Sequence, residues 1–197
     1  MANLLSLLRL PQRQSHLRRF LRDEQATVIA EAVIVLPLFL WAFIALFVYW
    51  DAFRSMNTVQ KAAYTVSDMI SREQTGISSA YITGMGRVFD YLIDESQTTR
   101  MRVTSVTRSA ANNRFEVHWS RTAGTGMSPL TTTTLQNYAY EIPTMAPGDY
   151  VVIVEVKVDY VPGFNIGMPN QTFRQFIVTR PRFLPCIPLD TIACPVT

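Results

Sequence analysis

Residues 26–50 read ATVIAEAVIVLPLFLWAFIALFVYW. From Ala32 to Trp50 there is no charge, and extending back to Val28 adds only Glu31. About 20 apolar residues, each rising ~1.5 Å, cross the ~30 Å hydrocarbon layer, so the stretch reads as one transmembrane helix over 27–50. This decides the architecture, because everything downstream then lies on one side of a membrane.

The flanks set the orientation. Arg9, Arg13, Arg18, Arg19 and Arg22 precede the span against Asp23 and Glu24. Basic residues resist translocation, so the N-terminus is expected in the cytoplasm and the C-terminal part outside. Tyr49 and Trp50 stand where an outer aromatic belt forms. The apolar run is longer than a secretory h-region and ends in Tyr49-Trp50-Asp51 rather than at a small-residue cleavage site. Three segments are expected: a basic cytoplasmic leader over 1–26, the span over 27–50, and an exported periplasmic domain over 51–197.

The charge is unevenly distributed. Residues 1–25 carry five arginines against two acids, while residues 51–197 carry thirteen basic against twelve acidic side chains. The overall +3 therefore belongs mainly to the leader, and a near-neutral exported domain argues against a nucleic-acid partner.

Periodicity organises the rest. Ala52, Met56, Val59, Ala63, Val66 and Ile70 recur at spacings of three and four, one helical face. No glycine or proline interrupts Leu38–Gln74, so one helix is expected from about Ala26 to Glu73, its first half in lipid and its second half amphipathic. Ser78 or Ser79 suits the cap of a second helix with Ile82, Met85, Phe89 and Leu92 as its stripe. Arg102–Thr107 and Arg114–Ser120 read as a hairpin. Tyr150–Tyr160 alternates most clearly, with Val152, Val154, Val156, Val158 and Tyr160 on one face. Val151, Ile153, Glu155, Lys157 and Asp159 take the other. Thr172–Thr179 follows as a fourth strand. Residues 121–149 read as a long Gly-, Thr- and Pro-rich connection with one short helix around Thr134–Glu141. The expected fold class is α+β, a long N-terminal helix followed by a small antiparallel-sheet exported domain.

Cys186 and Cys194 are the only cysteines, and in a non-reducing compartment they are expected to close a small disulfide loop, with free thiols the alternative. Chemistry is sparse elsewhere. His16 lies in the leader and His118 in an expected strand, so no imidazole pair forms. Asp90, Asp94 and Glu95 read as a solvated helix face. There is no G-x-S-x-G elbow, phosphate loop or H-E-x-x-H, and no catalytic site, metal site or cofactor is expected.

Glu31 has two readings: a carboxylate that pairs with a cation when neighbouring helices pack, or one that reaches the cytoplasmic headgroups from the first turn. Pro37 either bends the span as membrane bundles tolerate or shapes it for packing in a filament.

The string R-D-E-Q-A-T-V-I-A-E-A-V-I-V-L-P resembles the N-terminal segment of the TadE/TadG-like proteins of the tight-adherence pilus system. Glu31 and Pro37 match that pattern in identity and spacing. K-A-A-Y-T-V-S-D-M-I-S-R-E (Lys61–Glu73) and F-I-V-T-R-P-R-F (Phe176–Phe183) are similar to proteins of this type in alphaproteobacteria. Ala26 stands where the family usually has glycine, and Ala32 where an aromatic commonly follows the glutamate. The resemblance implies a pilin-like domain without catalytic activity. It implies cleavage between Ala26 and Thr27 by a prepilin peptidase, which would leave Glu31 as the fifth residue. It also implies Glu31 setting register against a neighbour's freed amine. The partners implied are the inner membrane, other pilus subunits and the secretion machinery. The rival expectation is a permanently signal-anchored periplasmic scaffold or binding module that is never cut.

Overall fold

Apart from Pro37, no glycine or proline interrupts the chain from Glu24 to Ser71, and α1 runs over Glu24–Ser71, past the membrane boundary read from the sequence. In this computed structural model the described residues are 24–93 and 97–195, with side chains from Val28 onward. Residues 1–23 of the basic leader, His16 among them, and Asp94 and Glu95 lie outside them. The chain divides into two compact units between Phe47 and Val48.

In the second unit, Val59, Ala62, Ala63, Val66 and Ile70 form the buried stripe of α1. Met56, expected on that stripe, is 42 % exposed. Asp51, Arg54, Ser55 and Thr58 border an open groove shared with Tyr160 and Gln97, and of the apolar α1 residues before Val59 in this unit only Val48 is buried. Thr58 and Thr65 donate their hydroxyls to the carbonyls of Arg54 (3.0 Å) and Lys61 (2.9 Å), which lets polar β-branched residues sit in the helix.

Helix α2 spans Ser79–Leu92, and its N-cap is Ser78, whose Oγ accepts from Tyr81 N at 3.1 Å. Ile82, Met85 and Phe89 are buried as the periodicity requires, whereas Leu92 remains 38 % exposed. Gly86 brings α2 against the sheet: a Cβ there would stand 2.6 Å from Ala123 Cβ.

Four strands, β1 (Thr98–Ser109), β2 (Arg114–Ala123), β3 (Tyr150–Tyr160) and β4 (Gln171–Thr179), form one antiparallel sheet in the order β2-β1-β3-β4. Val152, Val154, Val156 and Val158 face the helices together with Met101 and Val103. On the far side Val106, Val151 and Ile153 pack under Leu130, Leu135 and Ile142.

That second layer follows from topology. β2 lies at one edge, yet the chain must return to β3 beyond β1, so residues 124–149 have to cross the sheet. They cross the face opposite the helices and become a covering layer with its own core. Within it a short helix, α3 (Thr132–Leu135), runs into a 3-10 turn over Gln136–Glu141. The threonine run does the capping: Thr131 Oγ1 accepts from Thr134 N (3.2 Å) while Thr134 Oγ1 accepts from Thr131 N (2.9 Å).

β2 contains a bulge. Ser105 opposes Trp119 and Val106 opposes Val117, which leaves His118 without a partner residue in β1. One extra residue reverses the alternation. Phe115 and Val117 therefore pack on the far layer, while Trp119 and Ala123 pack with the helices.

Candidate functional site

The apolar half of α1 is the first candidate surface. Val28, Ile34, Leu36, Phe39, Phe43 and Leu46 are each between 64 and 73 % exposed. A side chain of this kind is worth about 1.5–3 kcal/mol when taken out of water, so such a face demands lipid or protein around it. Among the described residues this is one helix long and apolar enough to cross a membrane. Glu31 is exposed on it, Pro37 lies within it, and Ala26 and Thr27 lie in its first turn.

The second candidate is a buried charged cluster between the sheet and its covering layer. Glu155 is fully buried and Arg102 is 7 % exposed. Arg102 Nη2 donates to Glu155 Oε2, and Arg174 Nε donates to Oε1 at 2.8 Å. Arg174 Nη1 reaches Glu141 at 3.0 Å, and Arg102 Nη1 donates to Ser128 O at 2.7 Å. Both guanidinium groups lie over the Tyr138 ring, at 5.9 and 5.2 Å. Burial works against the Arg174 charge, but its bonds to Glu155 and Glu141 outweigh this and raise its pKa above the ordinary value. With both oxygens of Glu155 engaged by arginines, the cluster has no free base. It clamps Ser128, Tyr138 and Glu141 of the covering layer to β1, β3 and β4.

A groove of about 830 Å³ is lined by Asp51, Arg54, Thr58, Gln97, Asp159 and Tyr160, among others. Its carboxylates are occupied. Tyr160 donates to Asp51 at 2.8 Å, and Asp159 accepts from Arg100 and, at 2.9 Å, from Thr172. Burial first, then the Asp51 contact, pushes the Tyr160 hydroxyl up to about 12. Among the described residues no group of three or more His, Cys, Asp or Glu side chains is disposed to hold a metal ion.

The third candidate is the tail. Cys186 and Cys194 stand at disulfide-bonding distance, Cα to Cα 5.9 Å. The loop between them is built into the domain: Ile187 and Leu189 are fully buried, and Trp119 Nε1 donates to Ile187 O at 2.8 Å. Leu189 forms a parallel bridge with Ile77. Asp190 accepts from Ser79 N at 3.2 Å and from the Ser79 hydroxyl, which holds its carboxyl below the usual range. His118 joins the tail through the bulge: Nε2 lies 3.1 Å from Ala193 O and Nδ1 3.6 Å from Cys186 Sγ.

No family model, curated protein or solved structure matches this chain. The geometry thus stands by itself. It brings Cys186 and Cys194 together and keeps Glu31 and Pro37 on the exposed helix, far along the sequence from the tail. Sequence reasoning missed the Arg102–Glu155–Arg174 cluster. Its only signal was Glu155, a charge in the middle of the most apolar strand.

Proposed function

We propose that this chain is a non-enzymatic, minor pilin-like or assembly subunit of a tight-adherence pilus. It is anchored in an inner membrane by the apolar half of α1, with its N-terminus cytoplasmic and its sheet domain periplasmic. The observation that carries the reading is one unbroken 48-residue helix, exposed and apolar in its first half and packed on an antiparallel sheet in its second. Glu31 and Pro37 lie on it at the spacing the resemblance requires. Helices of this kind associate laterally through their apolar faces, and an acid among them sets axial register by taking a neighbour's cation. The partners are other pilus subunits and the secretion machinery, with a prepilin peptidase acting between Ala26 and Thr27.

A permanently anchored periplasmic scaffold is favoured by one observation. The Ala26–Thr27 bond lies inside the first turn of α1, and hydrolysis there requires that turn to open. Intact mass and terminal peptide mapping of the protein from its native membrane separate the two readings. A chain starting at Thr27 is expected for the pilus subunit; one starting at Met1 or Ala2 supports the scaffold. Glu31→Ala is expected to insert normally yet impair pilus output, and unchanged output would remove Glu31 from the mechanism.

A further inference from the structure

We propose that the Cys186–Cys194 bridge is an exchange site for an external dithiol, which attacks Cys194 and expels Cys186 with the help of His118.

The two sulfurs are not equivalent. Cys186 is 4 % exposed, whereas Cys194 is only partly buried, beside exposed Ala193 and Pro195. Exchange proceeds by attack of a thiolate on an accessible sulfur, so Cys194 receives the nucleophile. Cys186 then leaves bearing a negative charge inside the domain, which is costly without a donor. His118 Nδ1 is 3.6 Å from that sulfur.

The other ring nitrogen decides what Nδ1 carries. Nε2 lies 3.1 Å from Ala193 O, and a carbonyl only accepts, so Nε2 holds the hydrogen of the neutral ring. Nδ1 is then a bare lone pair facing Cys186, and a proton added to the ring lands where the leaving sulfur needs it. The ring is held for this by the β2 bulge and by Tyr150, packed edge-on at 5.6 Å between centroids.

The step balances. The first thiol forms a bond to Cys194 Sγ while the Cys194–Cys186 bond breaks, its electron pair leaving on Cys186 Sγ. The proton released when the attacking thiol ionises is taken up at His118 Nδ1 beside the leaving sulfur, giving a thiolate–imidazolium pair. The second thiol of the reductant then attacks its partner sulfur and frees Cys194, which takes the second proton. The dithiol becomes a disulfide and the cysteine pair gains two electrons. Because Ile187, Leu189 and the Trp119 bond hold the loop independently, opening changes the tail locally and leaves the domain folded.

The test uses the oxidised full-length chain in detergent. Opening by excess dithiothreitol is followed by alkylation and mass measurement for wild type and His118→Phe. The proposal expects the variant to open about tenfold more slowly, the size of one lost charge-assisted hydrogen bond. A merely packing role predicts an equal or faster rate, because a looser loop exposes Cys194, and that result overturns the proposal. A second measurement needs no variant. Glutathione has one thiol and is expected to be trapped as a mixed disulfide on Cys194; trapping on Cys186, or no reaction in the folded chain, overturns the proposal as well.

Discussion

Glu155 owes its place in the interior to Arg102 and Arg174. Removing one partner of such a pair leaves the other buried and uncompensated. Glu155→Leu is therefore expected to cost about 3–5 kcal/mol, read from urea unfolding. Arg102→Met combined with Glu155→Leu is expected to recover most of it, and a double variant as unstable as the single would show that the charge was not the cause. Asp190 makes a contrasting prediction at the surface. Its pKa is depressed in the folded chain by the Ser79 hydroxyl and backbone N–H, so the folded state binds its proton less readily than the unfolded one. The stability it contributes is present above the ordinary aspartate value of about 4 and is lost as pH falls through the depressed value. The gap in melting temperature between wild type and Asp190→Asn is expected to be constant from pH 5 to 7, about 1 unit above that value and higher, and to close in stronger acid. A gap independent of pH would contradict this.

At the level of elements, two glycines on α2 separate packing from propensity. Gly84 has nothing within 4 Å of an added Cβ, while Gly86 would meet Ala123 Cβ at 2.6 Å. Gly84→Ala is expected to raise stability by about 0.5–1 kcal/mol and Gly86→Ala to lower it by about 1–3 kcal/mol, both measured by thermal melts. Equal effects would show that α2 does not dock on Ala123 as described. On α1, lysines placed together at Phe39 and Ala42 are expected to abolish stable anchoring, at about 2.5–3.5 kcal/mol each for central charges. A variant still fully in the membrane fraction would overturn the spanning reading. The elements also mark where sequence logic holds. β3 was legible because its alternation runs unbroken for eleven residues between two packed layers. β2 was legible as a strand but not in its facing, because Phe115, Val117 and Trp119 share a parity that the His118 bulge splits. Residues 121–149 looked like a connector because they are rich in glycine, threonine and proline, although 121–123 belong to β2. The far face of the sheet, with Val106, Val151 and Ile153 already in place, needs only Leu130, Leu135 and Ile142 to close it. The charged cluster was illegible, since ion pairs between residues 102, 155 and 174 leave no local pattern.

Across the whole molecule, the described domain is three layers: helices, sheet, and a crossing segment held by the Glu155 cluster. The tail is fastened to the helical side by the Arg182–Asp68 pair at 2.6 Å and the Asp190 contact as well as by the bridge. Cys186→Ser is therefore expected to lower stability by ~2–3 kcal/mol, the closure entropy of so short a loop, with the circular dichroism of the fold unchanged. Wholesale loss of structure would show that the bridge organises the domain rather than staples it. The pairing of Ile77 with Leu189 has a consequence for biosynthesis. Ile187 and Leu189 fill the core that residues 59–89 begin, so the helical layer stays open until the ribosome has passed codon 192. Until then the core keeps an unfilled apolar seam. Its folding is coupled to completion of the chain rather than to synthesis of its first half.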